Sequence, residues 1–166
     1  MAAHNGAFSS DYSSGSSTYD VFLSFRGEDT RKNITGFLYR ALRREKINVY
    51  MDEEDLCAGE QIRKALLEAI RRSKISIPVS SKGYANSKWC LMELVEMVRC
   101  NRCNGQIIMP IFFDVEPRDV RHQSGSFEVS FQKHEERYDA DTVKSWREAL
   151  ILVGGISGYD LQQLNG

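Results

Sequence analysis

Short apolar runs alternate along the chain with stretches in which apolar residues recur at helical spacing. The runs are rich in β-branched and aromatic residues and predict strands at 19–25, 47–51, 74–79 and 106–113. The last run is the most apolar, as expected for a strand buried on both faces, and Pro78 suggests the end of the third strand. Apolar residues three and four positions apart predict helices at 31–44, around 62–70, at 84–100 and, more weakly, at 143–152. No fifth strand is evident from the periodicity.

Strands separated by helix-length connections pair in parallel and are joined by right-handed crossovers. The predicted fold is therefore an open, doubly wound α/β sheet. In such a sheet, ligands bind beyond the carboxyl ends of the strands, where the strand order reverses. That edge carries the loop after Phe25 (sequence RGEDTR), the acidic loop 52–60 after the second strand, and the loop after Val79.

The chain has 166 residues, of which we expect 19–161 to form one folded domain. Residues 1–18 are rich in serine and lack apolar periodicity, so we expect a disordered tail there. We interpret 162–166 as a C-terminal tail or the start of a linker to a further domain. No stretch approaches the roughly 20 apolar residues of a membrane helix, and no secretory signal is evident. We therefore expect no membrane partner and a location in the cytoplasm, with the nucleus as the alternative.

Charge and motifs exclude several functional classes. The formal net charge is −1, from 22 basic and 23 acidic side chains, which argues against a dedicated nucleic-acid-binding protein. Neither a G-x-G-x-x-G fingerprint nor a P-loop is present. A phosphoacceptor receiver domain shares this fold class but would need an aspartate where the third strand ends in Val79-Ser80-Ser81. Cys100 and Cys103 fall near the end of a helix and have no second pair, so we predict reduced thiols and no metal site.

The predicted helix 84–100 has two different faces. At about 100° per residue, one stripe is apolar and should face the sheet; it consists of Leu91, Leu94, Val95 and Val98. Trp89, Glu93 and Glu96 fall on the opposite side, where Trp89 and Glu93 are neighbours four positions apart. A tryptophan on a polar face indicates a partner surface or a flat ligand, and it would desolvate Glu93. The alternative is that Glu93 is a solvated surface residue and that Trp89 packs in the core just before the helix.

The loop after the first strand has a similar ambiguity. Gly27 permits close approach of a ligand to the backbone, and Arg26 and Arg31 are suited to holding phosphates. Equally, Asp29 or Thr30 is suited to capping the next helix. Periodicity leaves both interpretations open.

At these same residues the sequence resembles the TIR domains of plant nucleotide-binding leucine-rich-repeat immune receptors. The matching segments are 19–31 (YDVFLSFRGEDTR), 84–94 (YANSKWCLMEL), 110–117 (PIFFDVEP) and 120–127 (VRHQSGSF), with Asp52, Leu56, Gly59 and Ile62 in the loop after the second strand. Several long motifs in the right order, from Tyr19 to about Leu161, make the resemblance specific. It implies a flavodoxin-like, doubly wound sheet of five parallel strands flanked by helices.

The resemblance also implies NAD⁺ nucleosidase activity, in which NAD⁺ is cleaved to nicotinamide and to ADP-ribose or a cyclised product. It assigns the catalytic carboxylate to Glu93, with Glu96 as a neighbouring decoy and Met92 at a position that is often acidic in the family. NAD⁺, with NADP⁺ as an alternative, is then a substrate, and no prosthetic group or metal is implied. The residues that the resemblance assigns to the substrate pocket are Arg26, Gly27, Glu28, Asp29, Thr30, Arg31, Lys32, Asn33, Gly59, Ser87 and Trp89.

In the resembling family a neighbouring copy completes the active site, so other TIR domains are the implied partners, in assemblies from dimer to tetramer. Self-association there often uses a Ser-His pair on the first helix, where this chain has Thr35-Gly36. We therefore expect an assembly-dependent NADase that signals in plant innate immunity and cell death. Two alternatives stay open: a non-catalytic oligomerisation scaffold, and cyclic-nucleotide synthesis that depends on nucleic acid, against which the near-neutral charge argues weakly.

Overall fold

The computed structural model describes residues 19–51 and 59–162. The predicted serine-rich tail at 1–18, most of the acidic loop (52–58) and residues 163–166 lie outside the described residues. The expectations for those three segments therefore stay predictions.

The described chain forms one parallel sheet. Its strands are β1 (Tyr19–Phe25), β2 (Val49–Met51), β3 (Ser73–Ser80), β4 (Ile107–Ile108), β5 (Ile111–Phe113) and β6 (Tyr159–Leu161). The strand order is β2-β1-β3-β5-β6, with β4 also paired to β3, and every pairing is parallel. If β4 and β5 are taken as one interrupted strand, this is the 2-1-3-4-5 order of flavodoxin-like folds. The prediction of a doubly wound sheet with five strand positions is confirmed.

Two prolines explain where the sheet differs from the pattern. Ile107 pairs with Ile75 and Ile111 with Val79, so β4 and β5 keep one register and are interrupted only at Met109-Pro110. The Ser76 carbonyl accepts from Met109 N at 2.9 Å, and alternate residues of a strand face the same neighbour. Pro78, two positions after Ser76, therefore faces the gap between β4 and β5, where its missing N–H leaves no hydrogen bond unmade. Because of this, β3 continues past the proline to Ser80. The expectation that Pro78 ends the strand was wrong.

The last strand, β6, could not be read from periodicity because it is a short edge strand. All its residues are exposed; Tyr159 is 58% and Leu161 36% exposed. It pairs with β5 on one side only, so no alternation of buried and exposed residues marks it.

The helices are α1 (Gly27–Thr30), α2 (Ile34–Arg44), α3 (Glu60–Arg71), α4 (Lys88–Asn104), α5 (Pro117–His122), α6 (Ser126–Arg137) and α7 (Ala140–Gly154), with a 3₁₀ turn at Tyr84–Asn86. Two begin later in the chain than predicted. The helix expected from residue 31 begins at Ile34, because the loop after β1 forms the separate helical turn α1. The helix expected from 84 begins at Lys88 and ends at Asn104, followed by the C-cap Gly105, whose positive φ of 67° suits glycine.

Apolar residues pack on both faces of the sheet. On β1, Val21, Leu23 and Phe25 belong to a cluster that includes residues of α2, such as Leu38. Phe22 points the other way, into a larger cluster with residues of α3, α4, α6 and α7. This alternation follows from the period of two along a strand. It also turns Ser24 toward the α4 side of the sheet.

Across the described residues, no helix combines the length and the apolar character that spanning a bilayer requires.

Candidate functional site

The sheet reverses its strand order between β1 and β3. From β1 the chain passes to β2 on one side and then to β3 on the other. The carboxyl ends of these two neighbours, Phe25 and Ser80, therefore lie at the switch point at which doubly wound sheets bind ligands. The loop with α1 follows β1, and the 3₁₀ turn and the start of α4 follow β3, so both converge on this point.

One carboxylate joins the two loops. Asp29, in α1, accepts hydrogen bonds from Ser81 Oγ at 2.5 Å and from the Gly83 backbone N–H at 2.9 Å. Its other oxygen accepts from Arg26 Nη1 at 3.0 Å. The side chains of Arg26 and Asp29 are 28% and 21% exposed, so both are partly shielded from water. The second guanidinium nitrogen of Arg26 lies 3.0 Å from Glu28, whose side chain is 74% exposed.

The start of α4 is anchored to the end of β1. Ser87 caps the helix by accepting from Cys90 N at 3.3 Å. The Cys90 thiol donates to the Phe25 carbonyl at 3.4 Å. The fully buried Tyr84 places its hydroxyl 2.7 Å from Ser24 Oγ and 3.3 Å from the Cys90 carbonyl oxygen. These bonds fix the first turn of α4 against the carboxyl end of β1.

Glu93 lies in the second turn of α4 and is only 7% exposed. Its carboxylate is close to the anchor just described. Burial raises the pKa of Tyr84 well above its usual value, and the charges of Cys90 and Glu93 raise it further. Burial, followed by the charge of Glu93, likewise raises the pKa of the Cys90 thiol, against which the Ser87 hydrogen bond and the Arg26 charge act. Arg26 and Glu93 thus act on the Cys90 thiol with opposite charges.

The burial of Glu93 differs from the expectation of a polar helix face opposite the sheet. Leu91, Leu94 and Val98 are buried as predicted, and Val95 is partly buried against the same core. However, α4 also packs against α3 and α7, so little of its circumference faces solvent. The interpretation of Glu93 as a solvated surface residue is therefore wrong.

Trp89 is the second residue of α4, and its side chain is partly exposed rather than part of the core. The Lys88 ammonium lies 5.2 Å from the centre of its ring, which is within the range of a cation–π contact. Part of the indole surface beside the helix start is thus open to a flat ligand.

Glu96, the predicted decoy, is occupied by a different set of partners. It accepts from Arg71 Nε at 2.7 Å and from Arg99 at 2.5 and 3.1 Å. Burial alone would raise its pKa, but the hydrogen bonds from Arg99 and Arg71 outweigh burial and hold the pKa below its usual value. This carboxylate fastens α4 to α3 and lies one turn beyond Glu93.

The other predicted pocket residues are only partly brought together. Thr30 is buried and its hydroxyl accepts from Thr35 at 2.7 Å, whereas Lys32 is exposed. Arg31 lies over the Phe25 ring at 5.2 Å. Gly59 is the N-cap of α3, and among the described residues no atom lies within 4 Å of the position a side chain would take. Gly27, which starts α1, is partly exposed at the switch point.

Neither Asp29 nor Thr30, the two residues proposed as the cap of the next helix, caps α2. The residue that caps α2 is Asn33, whose side chain accepts from Ile34 N at 2.6 Å and donates to the Asp29 carbonyl at 3.1 Å. The Asp29 side chain points instead toward the loop after β3. Because this partner is more than fifty positions away in sequence, spacing along the loop could not have revealed it.

Sequence reasoning missed five residues at this point: Ser24, Ser81, Gly83, Tyr84 and Cys90. A signal was available for two of them. Ser81 and Gly83 directly follow the third predicted strand, at the same sheet edge as the RGEDTR loop. A serine and a glycine there suggest contacts between loops rather than chemistry.

A separate open cavity of about 530 Å³ lies at the carboxyl ends of β5 and β6. Four carboxylates, those of Asp114, Glu116, Asp119 and Asp160, line it together with Lys82. Glu93 is not among its lining residues. We therefore place the candidate site at the β1–β3 switch point, on topology and on the buried carboxylate, rather than at this cavity.

Comparison with known proteins places the chain beside plant disease-resistance proteins. Residues 18–166 match the family model described as TIR domain. The chain is 47% identical over 144 residues to Disease resistance protein RPV1 of Vitis rotundifolia. It is 43% identical over 151 residues to TMV resistance protein N of Nicotiana glutinosa. These alignments cover 87% and 90% of this chain but 10% and 13% of the relatives, so the chain spans about a tenth of their length.

A solved structure agrees in fold. The TIR domains of the activated Roq1 resistosome, which directly recognises the pathogen effector XopQ, are 46% identical to this chain. The superposition has a TM-score of 0.79 and covers 87% of this chain and 88% of that chain.

Proposed function

This chain belongs to the TIR domain family, and we propose that it is an NAD⁺ nucleosidase, activated by self-association, whose catalytic carboxylate is Glu93. The observation that carries the proposal is a glutamate only 7% exposed at the switch point of a doubly wound sheet. Membership of the family and the similarity to plant disease-resistance proteins support a role in plant immune signalling.

The reaction suits a single carboxylate. The bond between nicotinamide and ribose breaks with its electron pair going to the pyridinium nitrogen, which neutralises the leaving group, so no general acid is needed. Positive charge builds on the ribose, as in glycoside hydrolysis. A fixed carboxylate stabilises that charge more in the transition state than in the ground state. Water then adds to the ribose carbon and releases a proton to give ADP-ribose; attack from the adenine of the same molecule gives a cyclised product.

The surroundings of Glu93 are suited to this task. The carboxylate is shielded from water, so its field acts through a medium of low effective dielectric constant. Tyr84 and Cys90 beside it keep their protons, because burial and the nearby charge of Glu93 raise the pKa of both groups. Arg26, whose side chain is 28% exposed at the start of α1, is suited to pairing with the diphosphate of a dinucleotide, and Trp89 offers a flat surface.

Self-association is the second part of the proposal. The Roq1 TIR domains belong to a resistosome, and we infer that copies of this chain also assemble through TIR–TIR contacts. Thr35 and Gly36 cannot present side chains to a partner. Thr35 is fully buried against Thr30, and any side chain on Gly36 would meet the Arg31 carbonyl oxygen. The exposed surface of α2 is instead formed by Phe37, 61% exposed, with Arg40 stacked over its ring at 5.0 Å.

The test compares two buried glutamates of one helix. Concentrated protein is incubated with NAD⁺, with and without a fused oligomerising domain, and free nicotinamide is measured. We expect Glu93→Gln to lower the rate by roughly 100-fold or more, the scale of losing one electrostatic contact to the transition state. The matched control, Glu96→Gln, replaces an equally buried glutamate held by Arg71 and Arg99 and should retain the rate. Equal rates for the parent and Glu93→Gln, or no turnover by the fused parent, would contradict the enzymatic proposal. The remaining interpretation would then be a non-catalytic oligomerisation scaffold.

A further inference from the structure

We propose that Asp29 is a positioning residue that holds the Arg26 guanidinium toward the ligand, and that Gly83 is a glycine because these two side chains need its space. The proposal rests on the proposed function, since it takes the ligand to be a dinucleotide whose diphosphate pairs with Arg26. It reassigns Asp29, which the resemblance places among the residues of the substrate pocket.

The carboxylate of Asp29 is already occupied by the protein. One oxygen accepts from Ser81 Oγ and from the Gly83 N–H, and the other accepts from Arg26 Nη1. An ionised carboxylate offers only acceptors, and two of these donors come from the loop after β3 while the third, Arg26, directly precedes its own helical turn. Its charge would repel a diphosphate. It is therefore unsuited to binding the ligand and well suited to orienting a cation.

Gly83 supplies an independent observation. Its backbone has φ −96° and ψ 2°, a conformation that residues with side chains also adopt, so conformational freedom does not explain the glycine. A side chain there would instead overlap Arg26 Nη1, lie 2.7 Å from Asp29 Oδ2 and lie 3.1 Å from Arg26 Cδ. Buried Gly83 thus leaves the space in which the arginine and the aspartate meet.

The position of Arg26 explains why its contact with Asp29 matters for binding the ligand. The Arg26 side chain is 28% exposed, so its guanidinium is held by Asp29 on one side and is still accessible. Its remaining described ion pair, with Glu28, involves a side chain 74% exposed, and such a surface pair is weak enough for an anion to replace it. Arg26 directly follows Phe25, whose carbonyl accepts from the Cys90 thiol at 3.4 Å, and Glu93 lies three positions after Cys90 in α4. A diphosphate on the arginine would therefore extend its ribose toward the glutamate.

The binding test uses the full chain carrying Glu93→Gln, so that ligand is not consumed. Dissociation constants are measured by calorimetry for ADP-ribose and for adenosine, which lacks the diphosphate. We expect Asp29→Asn to weaken ADP-ribose binding about tenfold, which corresponds to about 1.4 kcal/mol, and to leave adenosine binding within about twofold. Gly83→Ala should likewise weaken ADP-ribose binding and spare adenosine binding, because the added methyl group displaces the flexible end of Arg26. In an Arg26→Ala background, Asp29→Asn should have no further effect on ADP-ribose binding.

Two controls separate positioning from folding and from the proposed function. Asp139→Asn changes another carboxylate that bonds a backbone N–H, that of Thr142 at 3.1 Å, outside the site, and should leave both dissociation constants unchanged. The ¹⁵N resonances of the Arg26 guanidinium report directly whether its rotation is restricted. We expect restriction in the parent and its loss in Asp29→Asn and Gly83→Ala.

Each outcome decides something. Additive effects of Arg26→Ala and Asp29→Asn, or unchanged restriction of Arg26 in Asp29→Asn, would overturn the positioning role. If the parent does not bind ADP-ribose while Arg26 loses its restriction in Asp29→Asn, the proposed function fails and the positioning of Arg26 stands.

Discussion

At the scale of single residues, the surroundings of a side chain decide what it can do more than its identity does. Glu93 and Glu96 are equally buried, at 7%, and lie one turn apart on α4. Two guanidiniums hold Glu96, which therefore serves the packing of α3 on α4. Glu93 lies instead beside Tyr84 and Cys90, at the end of β1. Only the second environment places a negative charge at a ligand-binding edge of the sheet.

Tyr84 carries a prediction at this scale. Its hydroxyl is fully buried and links Ser24 to the Cys90 carbonyl. Tyr84→Phe removes the hydroxyl and leaves two buried polar groups without this partner, so we expect a loss of about 1–3 kcal/mol in the free energy of unfolding. Urea denaturation followed by circular dichroism measures the change.

Tyr159→Phe is the matched control for Tyr84→Phe. Tyr159 is 58% exposed on the edge strand β6, and surface substitutions usually change stability by less than about 0.5 kcal/mol. If the two variants unfold at the same urea concentration, the buried hydroxyl does not anchor α4.

At the scale of elements, the site is held together by bonds between loops and helix ends. Asp29 fastens α1 to the loop after β3, and Ser87 caps α4. On the far side, Glu96 fastens α4 to Arg71 at the end of α3. The start of α4 is therefore restrained by Ser87 and the end of β1, and its next turns are packed on α3 through Glu96.

The ion pairs of Glu96 predict a pH dependence of stability. Its pKa in the folded state lies below the ordinary value of 4.5, because hydrogen bonds from Arg99 and Arg71 outweigh the cost of burial. A lowered pKa stabilises the fold above the pKa of the unfolded state, and this contribution is lost as the pH falls through the folded value. We expect Glu96→Gln to cost about 1–2 kcal/mol at about pH 7, a moderate value because both arginines are about half exposed.

The measurement is the free energy of unfolding of parent and Glu96→Gln from about pH 7 down to about pH 3. The difference between the two proteins should be constant above about pH 5 and should shrink below the ordinary pKa of 4.5. A difference that is independent of pH across this range would contradict the assigned role of the charge.

Elements with strong periodicity could be predicted, and those formed by tertiary contacts could not. β1 was predicted with its observed bounds, and the apolar run 106–113 was recognised although two prolines interrupt its pairing. The edge strand β6 and the helical turn α1 have no pattern of their own. The same limit applies to the site. Glu93 could be nominated from a resemblance, but the contact of Asp29 with Ser81 and Gly83 joins segments far apart in sequence.

At the scale of the whole molecule, the parallel topology brings the candidate site and the proposed self-association surface on α2 to neighbouring parts of the chain. The loop after β1 carries Arg26 and Asp29 and leads directly into α2, whose exposed face carries Phe37. Gly36 lets α2 approach that loop, because any side chain there would meet the backbone of Arg31. A contact between copies through α2 would therefore act on α1, which carries Asp29 and so positions Arg26. We infer that assembly affects the candidate site through this contact.

Phe37 carries the prediction that follows. An aromatic side chain 61% exposed on a helix is suited to contact with a second copy. Phe37→Ser should weaken self-association about tenfold or more, if this residue is a central contact, and should lower nicotinamide release by the unfused chain in proportion. Analytical ultracentrifugation and the nicotinamide assay, run over the same protein concentrations, measure the two effects.

Ile107→Ser is the control, because Ile107 is 55% exposed at the opposite, amino-terminal edge of the sheet. Fusion to an oligomerising domain should restore turnover to Phe37→Ser, since the variant keeps Glu93 and its surroundings. Turnover that stays low after fusion would mean that Phe37 supports the site itself rather than assembly.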